Sequence, residues 1–216
     1  MRTGILFSIL FLIAIEFSIA QVQRTDSLTE KKDSTSRNWS FSAEVDYYAY
    51  PYARDVFTAI ATADRKILHL EARYNYEDRN TASLFAGLNF GFGNKLRLEL
   101  TPMAGVIFGN SHGIAPGLEA DLSRRFLELS AQSEYLVGLA GKEDDYLYTW
   151  SQLGASVFKN CTIGLVAQRT KLYQTELDLQ KGGYAQYSIG KFTAGVFYFN
   201  PFSANNFFVT SIAVEF

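Results

Sequence analysis

One short segment of the sequence has residue types that could perform nucleophilic chemistry. Residues 109–113 read GNSHG, which matches G-x-S-x-G with Ser111 at its centre and His112 beside it. In hydrolases this Ser sits on a sharp turn between a strand and a helix, whereas here a strand pattern follows that contains Pro and Gly. Adjacent residues of a strand point to opposite faces, so His112 is poorly placed to take a proton from Ser111. We interpret the segment as a hairpin loop, with an outer-leaflet lipid hydrolase as the alternative.

A second set consists of charged residues that repeatedly fall on one face of the alternating strands. Acids outnumber Lys and Arg in this set by ten to four. An acidic, water-filled lumen attracts cations, whereas charges in a dry lumen must be paired, and Arg73 and Arg97 are natural partners for Glu71 and Glu99. The sequence leaves open whether such a lumen is open or filled. The predicted lumen-lining residues are Glu44, Asp46, His69, Glu71, Arg73, Glu77, Lys95, Arg97, Glu99, Glu119, Asp121, Glu128, Glu134, Lys191 and Glu215.

Metal and cofactor motifs are not evident in the sequence. The acidic run Glu143–Asp145 lacks the ligand spacing of a calcium loop. Cys161 is the single cysteine, and no CxxC motif or Cys/His cluster is present. We therefore predict no metal site and no cofactor. The net charge of −2 argues against a nucleic-acid partner.

The elements that must position these residues are long alternating strands. In KLRLELTPMAGV, Leu96 and Leu98 share one parity, and Lys95 and Arg97 share the other. In the third strand the apolar parity runs from Leu68 to Tyr76 in steps of two. The pattern predicts twelve strands, at 39–50, 55–63, 67–77, 81–92, 95–108, 112–123, 125–138, 146–158, 161–173, 177–190, 191–200 and 206–216.

The length of these strands favours lipid, and not a protein core, as the solvent of their apolar faces. Strands of globular proteins usually run about 5–6 residues, whereas a tilted strand needs about 9–11 residues to cross a bilayer. An even strand number also places both termini on the periplasmic side, where five short turns are predicted near residues 63–66, 93–95, 123–125, 159–161 and 189–191. We therefore predict an all-β fold, a closed antiparallel up-and-down transmembrane β-barrel of about twelve strands. A secreted sandwich is the soluble alternative.

The N-terminal region differs from the rest of the chain in composition. Residues 1–20 contain Arg2, a short apolar run and a small residue at Ala20, which predicts a secretory signal peptide. Residues 21–38 are polar and Ser/Thr-rich, which predicts a disordered periplasmic leader. The barrel is expected over residues 39–216, and the terminal Phe216 resembles the sorting signal of outer-membrane barrels.

Several segments together resemble a known group of proteins. The segments LHLEARYNYED, LTPMAGVIFG, QRTKLYQTELDLQKG and the final AVEF are similar to those of small outer-membrane β-barrel proteins of Bacteroidota-type Gram-negative bacteria. The resemblance implies a monomer in the bacterial outer membrane that contacts lipid and meets the barrel-assembly machinery through its C-terminal strand. It carries no established activity and no functional residues.

Three functions remain open at this point. The leading hypothesis is a passive channel for small, preferentially cationic solutes. The second is a non-transport structural or receptor barrel with a salt-bridged lumen, which would use the loops near Ala53–Asp55 and Lys142–Asp145. The third is the lipid hydrolase of Ser111 and His112.

Overall fold

The computed structural model describes residues 38–139, 145–170 and 179–216. The predicted signal peptide, the leader up to residue 37 and residues 142–144 of one predicted receptor loop lie outside the described residues. Among the described residues, no helix is long and apolar enough to cross a lipid bilayer. The strands are β1 (Ser40–Ala49), β2 (Val56–Arg65), β3 (Leu68–Tyr74), β4 (Thr81–Leu88), β5 (Phe90–Phe92), β6 (Arg97–Gly109), β7 (Gly113–Arg124), β8 (Leu127–Gly138), β9 (Tyr146–Phe158), β10 (Cys161–Arg169), β11 (Gln180–Ile189), β12 (Phe192–Phe199) and β13 (Phe207–Glu215).

The described strands close into a barrel. Apart from β4 and β5, which do not pair with each other, each pairs antiparallel with its neighbours in the chain, and β1 pairs with β13 to complete the circle. Both β4 and β5 pair with β6, so they are two parts of one wall strand that is interrupted at Asn89. The structure thus confirms a closed antiparallel barrel of twelve wall strands in the described part of the chain, with the predicted fourth strand broken once.

The two ends of the barrel differ in the length of their connections. At one end, here called the turn end, the strands are joined by short turns at residues 66–67, 93–96, 125–126, 159–160 and 190–191. Those are the five short turns that the sequence predicts for one side. The connections at the opposite end, here called the loop end, are longer, except for the three-residue connection at 110–112. The first and last strands meet at the turn end. There the N–H of Phe216 donates to the carbonyl of Phe41 at 2.9 Å.

The outside of the barrel is an apolar belt. Large side chains on the outward parity are exposed on every wall strand, for example Leu84, Val106, Leu165 and Ile212. On the outward faces of the described strands, charges are confined to strand ends, at Arg65, Arg124, Arg169 and Lys181. A largely apolar outer band without charges, with the charged residues inside, is the pattern of a membrane barrel, and it is opposite to that of a secreted sandwich.

One predicted face is wrong at the end of β3. The sequence pattern places Tyr76 outside with Tyr74, but Tyr76 is only 5% exposed and lies in the lumen. Asn75 adopts the left-handed region with φ 56°, which Asn tolerates better than most residues, and this ends the alternation. Its side chain donates to the carbonyl of Phe57 at 3.0 Å and accepts from the N–H of Asn80 at 2.7 Å.

Candidate functional site in the barrel lumen

The lumen divides into two halves along the barrel axis. In the half next to the loop end, here called the loop half, inward side chains are almost without solvent contact. In the half next to the turn end, here called the turn half, polar and acidic side chains keep part of their surface exposed. The inward parity of the sequence supplies both halves, so the difference arises from the size and chemistry of the residues at each level.

Arg73 is the centre of the loop half. Its Nε donates to Glu71 Oε1 at 2.8 Å and its Nη2 to Glu71 Oε2 at 3.0 Å. Its Nη1 donates across the lumen to Glu134 Oε2 at 2.6 Å and lies 3.5 Å from Glu77 Oε1. The guanidinium also stacks over the ring of Tyr76, 4.7 Å from its centroid. One cation thus holds three carboxylates from both sides of the barrel, and buried charges need this kind of pairing.

A layer of aromatic rings fills the space around this ion cluster. Tyr76 meets Tyr148 from the opposite wall, with ring centroids 4.8 Å apart. Trp150 lies 5.6 Å from Phe199, and Phe199 stacks on Phe207 at 4.9 Å. The Tyr76–Tyr148 and Trp150–Phe199 contacts join parts of the wall that are not adjacent and so cross the lumen, whereas Phe199 and Phe207 are paired on the neighbouring strands β12 and β13. The rings that are at most 1% exposed are Tyr48, Tyr148, Phe197, Phe199 and Phe207.

Polar side chains of the same level complete the filling. Tyr48 Oη donates to Gln168 Oε1 at 3.4 Å, and Gln168 Nε2 donates to Gln180 Oε1 at 2.6 Å. Asp46, a predicted lumen residue, accepts from Thr58 Oγ1 at 3.1 Å. Each of these bonds satisfies a buried polar group that would otherwise be costly to desolvate.

The turn half contains most of the remaining predicted lumen residues. Asp64 Oδ1 lies 2.9 Å from His69 Nδ1, and Gln132 Nε2 donates to Glu119 Oε1 at 2.8 Å. Glu44, Glu119 and Glu128 are half-buried, and Asp121 is exposed. This half therefore forms an acidic cup that faces water at the turn end.

The predicted lumen residues near the start of β6 do not all line the lumen. Arg97 and Glu99 form an ion pair near the mouth of the cup, with 38% and 41% of their side-chain surfaces exposed. Lys95, by contrast, lies in the exposed turn at 93–96 and does not line the lumen. The prediction extended the strand alternation two residues too far, because the chain turns before Arg97. Lys191 likewise lies in an exposed turn.

Ser111 and His112 do not form a catalytic pair. Ser111 is buried in the loop-end connection, where its Oγ donates to Asp78 Oδ2 at 2.7 Å and its N–H donates to Thr81 Oγ1 at 3.2 Å. His112 is exposed whereas Ser111 is buried, because adjacent side chains of an extended chain point in opposite directions. The serine therefore stabilises a loop through Asp78 and Thr81, and His112 is not placed to act as its general base.

The loop at Ala53–Asp55, which the sequence suggests as a receptor surface, is held by its last residue. Asp55 accepts from Tyr47 Oη at 2.6 Å and from the N–H of Tyr50 at 3.0 Å. The hydrogen bond from Tyr47 lowers the pKa of the Asp55 carboxyl, with the Tyr50 N–H as the next cause. Of the other suggested loop only Asp145 is described, and it accepts from the N–H of Gly138 at 2.8 Å.

The aromatic residues of the lumen are not predicted by the sequence pattern as interpreted above. Phe197, Phe199 and Phe207 lie on the inward parity of the last two strands, whereas aromatic residues of membrane barrels are expected at the lipid interface. The alternation of side chains along each strand could have identified them. Phe208 and Ile212 already define the outward face of β13, which places Phe207 inside.

Comparison with known proteins identifies the architecture. No protein-family model matches the chain, and no curated protein matches it. Among solved structures, a KdgM porin in complex with disordered oligogalacturonate matches with a TM-score of 0.56 at 13% identity, over 81% of this chain and 99% of that one. A second KdgM porin structure matches with a TM-score of 0.51 at 11% identity, over 81% and 98%. The chain thus shares the β-barrel fold of these porins.

Proposed function

We propose that this protein is an outer-membrane β-barrel whose lumen is closed at rest, and which acts as a structural or receptor barrel and not as an open pore. The observation that carries the proposal is the cross-lumen contact of Arg73 with Glu134, reinforced by that of Tyr76 with Tyr148. A solute would have to displace both contacts to pass. Twelve strands enclose a space between the filled eight-stranded and the open sixteen-stranded barrels, so side chains of this size are able to fill it.

The location follows from the exterior. Hydrocarbon is the solvent that suits a largely apolar belt without charges, and β-barrels of this kind belong to outer membranes. The relationship to Bacteroidota-type barrels, the monomeric state and assembly through β13 are part of the same proposal. Cell fractionation should place the protein in the outer membrane, and its gel mobility should change on boiling. Solubility without detergent would contradict this location.

Conductance across planar lipid bilayers tests the closed lumen. We expect the wild-type barrel to show no stepwise conductance. Replacing Glu134 and Tyr148 together by Ala removes both cross-lumen contacts while Arg73 keeps Glu71 and Glu77 as partners, and should produce conductance steps. The matched control is Arg97→Ala, at the open mouth of the turn half, which should remain silent. Conductance of the wild type would overturn the proposal.

Passive passage of cations is the second candidate, and the acidic turn half favours it. Glu119 and Asp121 face the open end of the lumen, where they would raise the local cation concentration. The KdgM porins with the same fold also support a transport role. If the wild type conducts, a salt gradient should give a cation-selective reversal potential, and the double variant Glu119→Gln and Asp121→Asn should reduce it. A silent wild type excludes this candidate.

The enzyme hypothesis has the least support. Ser111 is engaged with Asp78, and His112 faces away from it. We therefore propose a non-enzymatic role. Outer-membrane lipid profiles should be the same with and without the Ser111→Ala change, and an altered profile would contradict that expectation.

A further inference from the structure

Three metal-ligating side chains meet inside the lumen. His69 and Glu71 are two residues apart on β3 and therefore share its inward face, and Glu119 reaches them from β7. One ligand atom from each of the three lies within 4.8 Å of the other two. The sequence gives no sign of this group, because Glu119 lies far from His69 along the chain.

The histidine of this group is oriented as metal-binding histidines are. Its Nδ1 lies 2.9 Å from Asp64 Oδ1, which leaves Nε2 on the side of Glu71, 3.5 Å from Oε2. Asp64 Oδ1 is itself held by Asn89 Nδ2 at 2.6 Å, and Asn89 Oδ1 accepts from Thr101 at 2.7 Å. A carboxylate on the distal ring nitrogen fixes the tautomer and the ring plane of a metal-bound histidine. The break in the wall strand at Asn89 thus supports His69.

The two carboxylates are also positioned from outside the group. Glu119 accepts from Gln132 at 2.8 Å, and Glu71 is held by Arg73 at 2.8 and 3.0 Å. Rigid, externally supported ligands of this kind distinguish a built site from a chance cluster.

The charge around the group is not balanced by the described side chains. Arg73 serves Glu77 and Glu134 in addition to Glu71. Glu77 Oε2 and Glu134 Oε1 are buried without a hydrogen-bond partner. A divalent cation next to this cluster would offset part of the uncompensated negative charge, which a low-dielectric interior makes unfavourable.

We propose that His69, Glu71 and Glu119 bind a divalent first-row transition metal, with Zn²⁺ as the best-fitting ion, at the floor of the turn half. One imidazole nitrogen and two carboxylate oxygens suit Zn²⁺, which accepts N and O ligands and often keeps a water in its fourth position. Ca²⁺ and Mg²⁺ prefer all-oxygen sites, so they should bind weakly. The half-buried Glu119 lies on the side of the open cup, which gives an entry path.

Zn²⁺ titration of the metal-free, detergent-purified full-length barrel by calorimetry tests the proposal. We expect one equivalent to bind to the wild type, and His69→Gln and Glu119→Gln each to weaken binding by at least about tenfold. Loss of the supporting carboxylate in Asp64→Asn should weaken binding about 10- to 100-fold. Glu128→Gln is the matched control, because Glu128 is a half-buried carboxylate of the same cup outside the group.

The alternative is an imidazolium that is merely ion-paired with the surrounding carboxylates. Absence of Zn²⁺ binding by the wild type would establish it and overturn the proposal. Equal losses in Glu128→Gln and His69→Gln would also overturn it, since they would indicate diffuse attraction to the cup. Heat-modifiable gel mobility identifies variants that have not folded, and only folded variants are compared. The outcome is independent of whether the lumen conducts ions.

Discussion

In the loop half of the lumen, Arg73 has no exposed side-chain surface, whereas in the turn half Arg97 keeps 38% of its side chain exposed. Both arginines lie on the inward parity of a wall strand and pair with a glutamate two residues away. Arg73 is surrounded by rings and carboxylates from the opposite wall, whereas Arg97 lies beside water. The same local motif therefore has a structural role at one level of the barrel and only a surface role at the other.

The largest expected effect concerns this pair of arginines. Arg73→Ala leaves three buried carboxylates without their cation, and breaking a buried pair in this way destabilises a protein by about 3–5 kcal/mol. Arg97→Ala removes an exposed pair and should change the free energy of unfolding by about 0–1 kcal/mol. Urea unfolding in detergent micelles measures both. Equal effects would show that the two halves are not energetically different.

A second contrast compares two phenylalanines near the loop end. Phe199 is fully buried in the aromatic layer, whereas Phe202, in the next connection, is fully exposed. Phe199→Ala should lower the free energy of unfolding by roughly 3 kcal/mol, since it removes a buried ring and leaves a cavity. Phe202→Ala should stay within about 0.5 kcal/mol. A small effect at Phe199 would mean that the lumen is less densely filled than its contacts indicate.

The smallest effect is a pH dependence at the loop end. The pKa of Asp55 is lowered chiefly by the hydrogen bond from Tyr47. The stabilisation that the ionised Asp55 contributes to the fold is therefore fully present above the ordinary carboxyl pKa. That contribution is lost as the pH falls through the lowered value. NMR titration of the Asp55 carboxyl should give a pKa below its ordinary value, and Tyr47→Phe should move it upward. An unchanged pKa in Tyr47→Phe would assign the shift to the Tyr50 N–H.

The sequence by itself determined the wall of the barrel. Alternation with a period of two fixes which side chains face lipid, and the turn signals fix where each strand ends to within a few residues. The fold class, the five short turns and the inward placement of Glu71, Arg73 and Glu134 are consequences of that local pattern. The exceptions, at Tyr76, Lys95 and Lys191, fall where the chain leaves the strand conformation and the alternation stops.

Only the tertiary structure decided what happens inside the wall. Whether Arg73 reaches Glu134, or His69 meets Glu119, depends on the diameter of the closed barrel and on the relative height of strands that are distant in sequence. Periodicity along one strand contains no information about either quantity, because closure and stagger are properties of the whole set of strands. The wall is thus a local property of the chain, whereas the filled lumen and the proposed metal site are properties of the barrel as a whole.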